Sequence, residues 1–399
     1  WCDTIEKNTA GRVKCNILPR APVAAPGTID AVKNGLLDLS FTVHGYTPGR
    51  FLFTQMAELP FLGNNAEPIS VAFNKVASKH PQFGEEHQGV KVLSYFTHGP
   101  GIIFNTKKTI AQVDDLQGLK FRVGGGMVNE ISKTLAMNVT LKPAPDSYEL
   151  ISGGVMDGTL FPAESTESFK IDKLIRYATT FPGGLYNTSF VFMMNPAKYD
   201  KLSAEGKKAL DALSGEFAAR VFGRGWDKVD RRALALMQAN NVVVTKADAK
   251  FVADVKAKTA PLEAKWVKDA EAKGLKNAAK VLAELLRSQV QLLLKERDER
   301  EAERARHNGS PQQALQHQAT PQQQQQQTQT QQQTQQAPQQ PVAQLPVQQA
   351  AAGLAPLMTV LSASDATTRH TVRGPQPEIV RDYEVWLDDA RVLSVAGNI

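Results

Sequence analysis

Up to Leu286 the apolar and polar positions alternate between helical and strand-like spacing. The first residues read as the end of a helix (Asp3, Ile5, Glu6), a turn at Gly11 and a short strand Val13–Ile17. Gly27–Asn34 predicts a helix entered through Pro26 and stopped by Gly35, and Leu36–Val43 predicts a buried strand. Gly45, Pro48 and Gly49 mark a loop. A helix is predicted over Glu67–Lys79 and strands over Val90–Phe96, Ile102–Asn105 and Leu119–Val123, the last turning at Gly124–Gly126 into a helix Val128–Leu135. Further helices are predicted over Asn195–Leu213, with Ser203 as a candidate N-cap, and over Gly215–Gln238. The second of these carries Phe217, Val221, Trp226, Val229, Ala233 and Leu236 at near-helical spacing. A strand Val242–Thr245 and amphipathic helices Asp248–Lys273 and Ala278–Leu286, broken at Pro261 and Gly274, complete the pattern.

One arrangement occurs twice. Asp30–Phe41 and Tyr148–Phe161 each run from a helix through a glycine (Gly35, Gly153) and an aspartate (Asp38, Asp157) into a strand. Glycine suits the left-handed position that ends a helix, and aspartate can bond backbone amides in the turn. Two αβ units of one design predict two similar α/β lobes with a ligand between them; helix–glycine–strand joints also occur in any α/β protein.

Composition changes this picture mainly at the C-terminal end. The 399 residues are 42% hydrophobic and 22% charged, enough for a core that needs no metal or disulfide staple. The net charge of +6 suits an anionic partner and equally an ordinary water-soluble protein. No apolar run reaches the ~18 residues of a membrane-spanning helix. Residues 1–286 read as folded; 287–310 form a charged extension of helical pattern; 311–350 are glutamine-rich and predict disorder. Residues 351–399 regain apolar side chains (Tyr383, Val385, Trp386, Leu387) but are short for a domain. Trp1 in place of Met marks a processed protein, a fragment or an incomplete gene, and no signal peptide stands in the chain. Cys2 and Cys15 can pair in an oxidising compartment or stand as unrelated thiols.

Candidate chemistry is sparse. The sequence holds no nucleophile elbow, P-loop, HExxH, EF-hand loop or CxxC. Gly124–Gly126, between strand and helix, fits a phosphate cradle but lacks its spacing and lysine, so a plain turn is the simpler reading. His44 and His98 each fall just past an apolar strand beside glycine, where α/β lobes bind ligands; satisfied histidines fit the same positions. In Leu119–Val123 alternation sets Phe121 and Val123 on one face and Arg122 on the other. An arginine there can hold a carboxylate by paired N–H···O bonds, or bond a local carboxylate such as Asp115.

These residues resemble a known family. Asp115–Arg122 followed by Ser147–Gly158, supported by Val32–Asp38, Gly45–Arg50, Glu58–Leu62 and Pro182–Asn187, is similar to the DctP-like solute-binding proteins of TRAP transporters, over about residues 4–286. The resemblance implies an α/β, two-lobe architecture like the type II periplasmic binding proteins, with a long helix spanning both lobes (Gly215–Gln238 here). It implies a periplasmic receptor without catalysis or cofactor, closing on an organic carboxylate and delivering it to the TRAP membrane permease subunits. It places Arg122 as the carboxylate clamp, Phe161 in the pocket lining, and Tyr186 and Asn187 on the strand that completes it; His44, Tyr46 and His98 supply further wall. Sugar-acid binders of the family carry a second arginine near Ile102 and a polar residue at Phe161. The apolar residues here favour a monocarboxylate with an apolar or aromatic body. Members also begin with a signal peptide and a first strand that would precede Trp1, so the resemblance implies that this strand is missing. No metal and no nucleic-acid partner is implied.

Two rival readings remain at this level. A two-lobe enzyme acting on a small organic acid would use His98 or His44 as base and needs a positioned partner for it. A scaffold or regulatory protein would have the glutamine-rich tail as its working part.

Overall fold

The computed structural model describes residues 1–19, 21–308, 380–387 and 390–398. Its strands are β1 (Leu39–Val43), β2 (Lys91–Thr97), β3 (Ile102–Asn105), β4 (Lys120–Val123), β5 (Asn138–Leu141), β6 (Gly158–Phe161), β7 (Tyr177–Thr180), β8 (Ser189–Met194), β9 (Val243–Lys246), β10 (Val380–Leu387) and β11 (Ala390–Asn398). Helices α1 (Cys2–Asn8), α2 (Thr28–Lys33), α3 (Ala66–Lys79), α4 (Pro81–Glu85) and α5 (Met127–Thr134) lie in the first part of the chain. Then come α6 (Ser147–Ser152), α7 (Ser165–Ser168), α8 (Pro196–Asp200), α9 (Ala204–Ala212), α10 (Glu216–Ala239), α11 (Ala249–Thr259), α12 (Pro261–Ala272) and α13 (Ala278–Asn308).

Two sheets make two lobes. The first holds β1, β8 and β2 in that order, with β8 antiparallel to both neighbours. The second is six-stranded, β5-β4-β6-β3-β7-β9, parallel on its flanks and antiparallel around β3. The two repeated αβ units fall one in each lobe, since β1 belongs to the first sheet and β6 to the second. Gly35 takes the left-handed conformation (φ 77°), but in the second copy Gly154 does so (φ 69°), while Gly153 stays right-handed. Asp157 accepts the backbone N–H of Lys120 at 2.9 Å, so it ties β6 to β4 rather than closing its own turn.

The lobes are joined by neighbouring segments. Chain leaving β2 passes through His98–Gly101 into β3, and chain leaving β7 returns through Phe181–Thr188 into β8. The N–H of His98 bonds the Thr188 carbonyl at 3.3 Å and that of Gly101 the Tyr186 carbonyl at 2.7 Å, so the two crossings run side by side. The third link is α10. Its Asp227 accepts the N–H groups of Ala66 and Glu67 at the start of α3, at 2.6 and 3.0 Å. One turn on, its Asp230 accepts the N–H of Glu164 just before α7, at 2.7 Å. Each aspartate holds a different lobe to the same helix and satisfies helix-start donors that would otherwise be unpaired.

Several local expectations change. Val13–Ile17 is not a strand; a disulfide between Cys2 and Cys15 (Cα–Cα 5.6 Å) ties this segment to α1 instead. The stretch Asn195–Leu213 is two helices, because the Ser203 side chain accepts the N–H of Gly206 and starts α9 afresh. Strands β5, β7 and β8 were not assigned from the pattern. The packed face of α10 consists of Ala218, Ala219, Gly223, Asp230, Ala233 and Met237, whereas Phe217 and Leu236 are exposed. Small residues win there because α10 lies close on α3: a Cβ at Gly223 would stand 2.5 Å from Glu67 Cα.

The expected boundary at Leu286 falls inside α13, which continues to Asn308 and buries Gln289 and Leu293. Residues 1–294 and the strands β10 and β11 fall in one compact unit, and the described residues 295–308 in another. β10 and β11 form an antiparallel hairpin, Val380 opposite Asn398. The glutamine-rich segment 311–350 and residues 351–379 lie outside the described residues.

Candidate functional site

β4 is four residues long and interior to its sheet, with β5 and β6 alongside, so its side chains face either helix-covered core or the edge shared with the first lobe. Phe121 and Val123 enter the main core. Arg122, opposite them, is also buried, at 2% exposure. Its Nε–H donates to the Lys142 carbonyl at 2.8 Å, and its guanidinium lies over the Phe161 ring, 4.6 Å from the centroid. Among the described residues it makes no salt bridge, and the nearby Asp115 instead accepts the N–H groups of Ala111 and Gln112. Burial lowers its affinity for its proton, an effect opposed by Tyr46, Tyr186 and Asp146 close by. The result is a desolvated guanidinium with its Nε–H committed to Lys142, a further hydrogen bond to Tyr46, and an aromatic surround.

Tyr46 comes from the other lobe. It sits in the turn His44–Tyr46 after β1, and its hydroxyl oxygen accepts the N–H of Ala144 in the second lobe at 3.1 Å. Backbone contact makes that reach possible. A Cβ on Gly45 would lie 2.7 Å from the Gly125 carbonyl carbon, so the glycines at 45 and 124–126 bring the two lobes together. This identifies the triple glycine as a close-packing turn. The N–H of Met127, at the start of α5, is taken by the Glu58 carboxyl at 2.8 Å, which occupies the place an anion would use.

Phe161, at the end of β6, stacks on Phe169 and pairs across the ladder with Ile102 of β3. The apolar residue at 102 therefore lies beside the aromatic one at 161. Tyr186, His98 and Asn187 all belong to the two crossing segments. Tyr186 is buried and meets His98 edge to face, centroids 5.6 Å apart. The Asn187 amide donates to the carbonyls of His98 and Gly99 at 2.9 and 3.2 Å, while its Oδ1 is buried without a partner. His98 Nδ1–H donates to the Gly99 carbonyl, and burial pushes its pKa down to about 4.

The structure thus brings Arg122, Tyr46, Phe161 and Tyr186 into one neighbourhood at the lobe junction, with His98 and Asn187 on the adjoining crossings. His44 is placed differently. Both its ring nitrogens are engaged within the first lobe, with Ser189 Oγ at 2.9 Å and His87 Nε2 at 2.9 Å. Sequence reasoning missed Gly101, whose absent side chain leaves room for the Tyr186 ring, and the lobe-holding pair Asp227 and Asp230. Two aspartates about one turn apart on a helix whose other charges are almost all basic were the available signal for that pair.

Comparison with known proteins adds to the geometry. The family model described as bacterial extracellular solute-binding protein, family 7, matches residues 1–269. A Comamonas testosteroni protein named outer membrane transporter protein TsaT is 28% identical over 276 residues, 69% of this chain and 81% of its own length. A TRAP periplasmic solute-binding protein from Bordetella bronchiseptica, solved with bound (R)- and (S)-mandelate, superposes with a TM-score of 0.71 at 41% identity, covering 73% of this chain and 92% of that one. A TRAP solute-binding protein from Rhodoferax ferrireducens, solved with copurified benzoate, gives a TM-score of 0.69 at 29% identity, covering 73% and 91%.

Proposed function

The chain belongs to family 7 of the bacterial extracellular solute-binding proteins, and we propose that it is the periplasmic receptor of a TRAP-type transporter for an organic monocarboxylate with an aromatic or apolar body. The observation that carries the reading is Arg122: a buried guanidinium with no carboxylate partner among the described residues, faced by Phe161 and two tyrosines. The ligand carboxylate takes the N–H groups of Arg122 that Lys142 and Tyr46 leave, and the ligand body lies against Phe161 and Tyr186, beside Ile102. Tyr46 closes the site from the first lobe. Asn187 Oδ1, buried and unpartnered, accepts from a ligand hydroxyl where one is present. His98 lines the wall through its ring face, its Nδ1–H held by the Gly99 carbonyl, while both ring nitrogens of His44 are engaged within the first lobe. The chain itself performs no catalysis and hands its ligand to the membrane subunits. Closure of the lobes excludes water and raises the strength of the ion pair.

The mandelate and benzoate held by the two solved relatives are aromatic monocarboxylates, which supports this ligand class. Calorimetric titration with mandelate, benzoate and a dicarboxylate tests it, with binding expected for the first two and the ligand recovered unchanged. Arg122→Ala removes at least one charge-assisted bond of ~1.5–3 kcal/mol and is expected to weaken binding by about 10-fold or more. A variant that binds as tightly as the parent would refute the clamp.

A further inference from the structure

A chain of four buried side chains runs through the first lobe to its contact with the second. His87 Nδ1 lies 2.7 Å from the Phe83 carbonyl oxygen, and His87 Nε2 lies 2.9 Å from His44 Nε2. His44 Nδ1 lies 2.9 Å from Ser189 Oγ, which in turn lies 2.6 Å from Glu58 Oε1. Glu58 also accepts the N–H of Ser189 in β8 at 3.0 Å and that of Met127 in α5 at 2.8 Å, one from each lobe. None of the four side chains exceeds 2% exposure.

The hydrogens along this chain can be counted. Its four contacts all have hydrogen-bond length, and each needs one hydrogen between its heavy atoms. Two neutral imidazoles supply one hydrogen each and the serine hydroxyl supplies one more; a carboxylate supplies none. The Phe83 carbonyl only accepts, which sets a hydrogen on His87 Nδ1. From there every assignment of the remaining hydrogens leaves one contact with two lone pairs facing each other in a dry site. One further proton completes the set, whether it rests on His87, His44 or Glu58. We propose that the chain His87–His44–Ser189–Glu58 is a proton-binding site, holding one proton beyond two neutral imidazoles and a carboxylate, and that this proton is part of the lobe contact made by Glu58.

Burial raises the Glu58 carboxyl and lowers both imidazoles, His87 to about 4, so the proton rests at the carboxyl end. Ser189 is no nucleophile in this arrangement, being fully buried between an imidazole and a carboxyl. The titratable and charged groups facing the chain are Arg50, Glu86 with its partner Lys273, Tyr95 and Tyr186. A cavity of about 300 Å³, lined by Gln55, Glu130, Lys265 and Asp269 as well as His44 and Glu58, gives the proton a path to solvent.

Urea unfolding of the full chain at pH 7.5 and 8.5 tests the count. Unfolding the parent releases the held proton, so its unfolding constant is expected to rise about tenfold more over that unit than that of Glu58→Gln. The glutamine amide supplies the missing hydrogen without titrating; its NH2 then also meets the Ser189 N–H, a cost independent of pH that leaves the slope comparison intact, and the surrounding groups are common to both proteins. Ser189→Ala leaves two contacts that two neutral imidazoles satisfy, so it is expected to lose the same pH dependence. Should neither variant fold, the parent at pH 7.5 decides. Isotope-edited infrared and nitrogen NMR spectra are expected to show one protonated carboxyl or one doubly protonated imidazole in the chain. Equal pH dependence in parent and variants, or an ionised Glu58 beside two neutral imidazoles, overturns the proposal.

Discussion

Gly101 has no side chain because the Tyr186 ring occupies the space one would fill: a Cβ there would lie 2.0 Å from ring carbon. Its N–H meanwhile bonds the Tyr186 carbonyl, so the residue cannot move off without breaking the pairing of the two crossings. Gly101→Ala is therefore expected to displace Tyr186, cost about 1–3 kcal/mol of stability, and weaken carboxylate binding as well. Gly225→Ala is the matched control. That glycine lies within α10 with nothing near its missing Cβ, and the same change is expected to be neutral or stabilising by roughly 0.5–1 kcal/mol. Urea midpoints and ligand titrations of the two variants check the pair. At this scale alternation set Arg122, with Lys120, on the face opposite Phe121 and Val123, but only the fold showed that Arg122 is buried and Lys120 exposed. Gly101 and Ser189 were not legible, because a glycine or serine shows its purpose only through what the fold sets against it.

At the scale of elements, α10 is a clamp carrying a buried charge. Asp230 has one oxygen bonded to the Glu164 N–H and the other buried without a partner, and desolvation raises its pKa to about 7. The unfolded chain titrates near ~3.9. The stabilising contribution of Asp230 is thus fully present below that value and is lost as pH rises through about 7. Asp230→Asn keeps an acceptor for Glu164 and removes the charge. It is expected to be more stable than the parent by about 1–3 kcal/mol at pH 8.5, with the gain vanishing toward pH 5. A constant difference in urea midpoint across that range would contradict the shift. The length of α10 was readable from its pattern, but its packed face was not. Hydrophobicity points to Phe217 and Leu236, while close approach to α3 selects Ala218, Ala219 and Gly223.

Across the whole molecule, among the described residues, burial shifts three imidazoles down and four carboxyls, Glu58, Asp227, Asp230 and Glu263, up. His44, His87 and His98 are held neutral by burial, the last two near 4, against ~6.5 when unfolded. Their contribution to stability is present above about 6.5 and lost as pH falls through about 4, whereas Glu58 and Asp230 shift upward. Because the two sets oppose each other, His98 is read by difference. His98→Gln keeps a donor for the Gly99 carbonyl and is expected to lose less urea midpoint than the parent between pH 7 and pH 5, and equal losses would show that the ring is not buried neutral. The amino-acid order alone determined that there are two α/β units, that Arg122 lies on the face of its strand opposite Phe121 and Val123, and that the chain resembles a solute-binding family. Those features depend on neighbours in sequence: periodicity, a glycine stop, the alternation of charged and apolar residues along a short strand. Only the tertiary structure decided that β8 enters the first sheet between β1 and β2, and that two crossings lie side by side beneath Tyr186 and Asn187. It alone decided that His44 turns to His87 and Ser189 instead of standing free at a strand end. Pairing between distant strands and the removal of water from buried polar groups are properties of the assembled fold, and no local pattern encodes them.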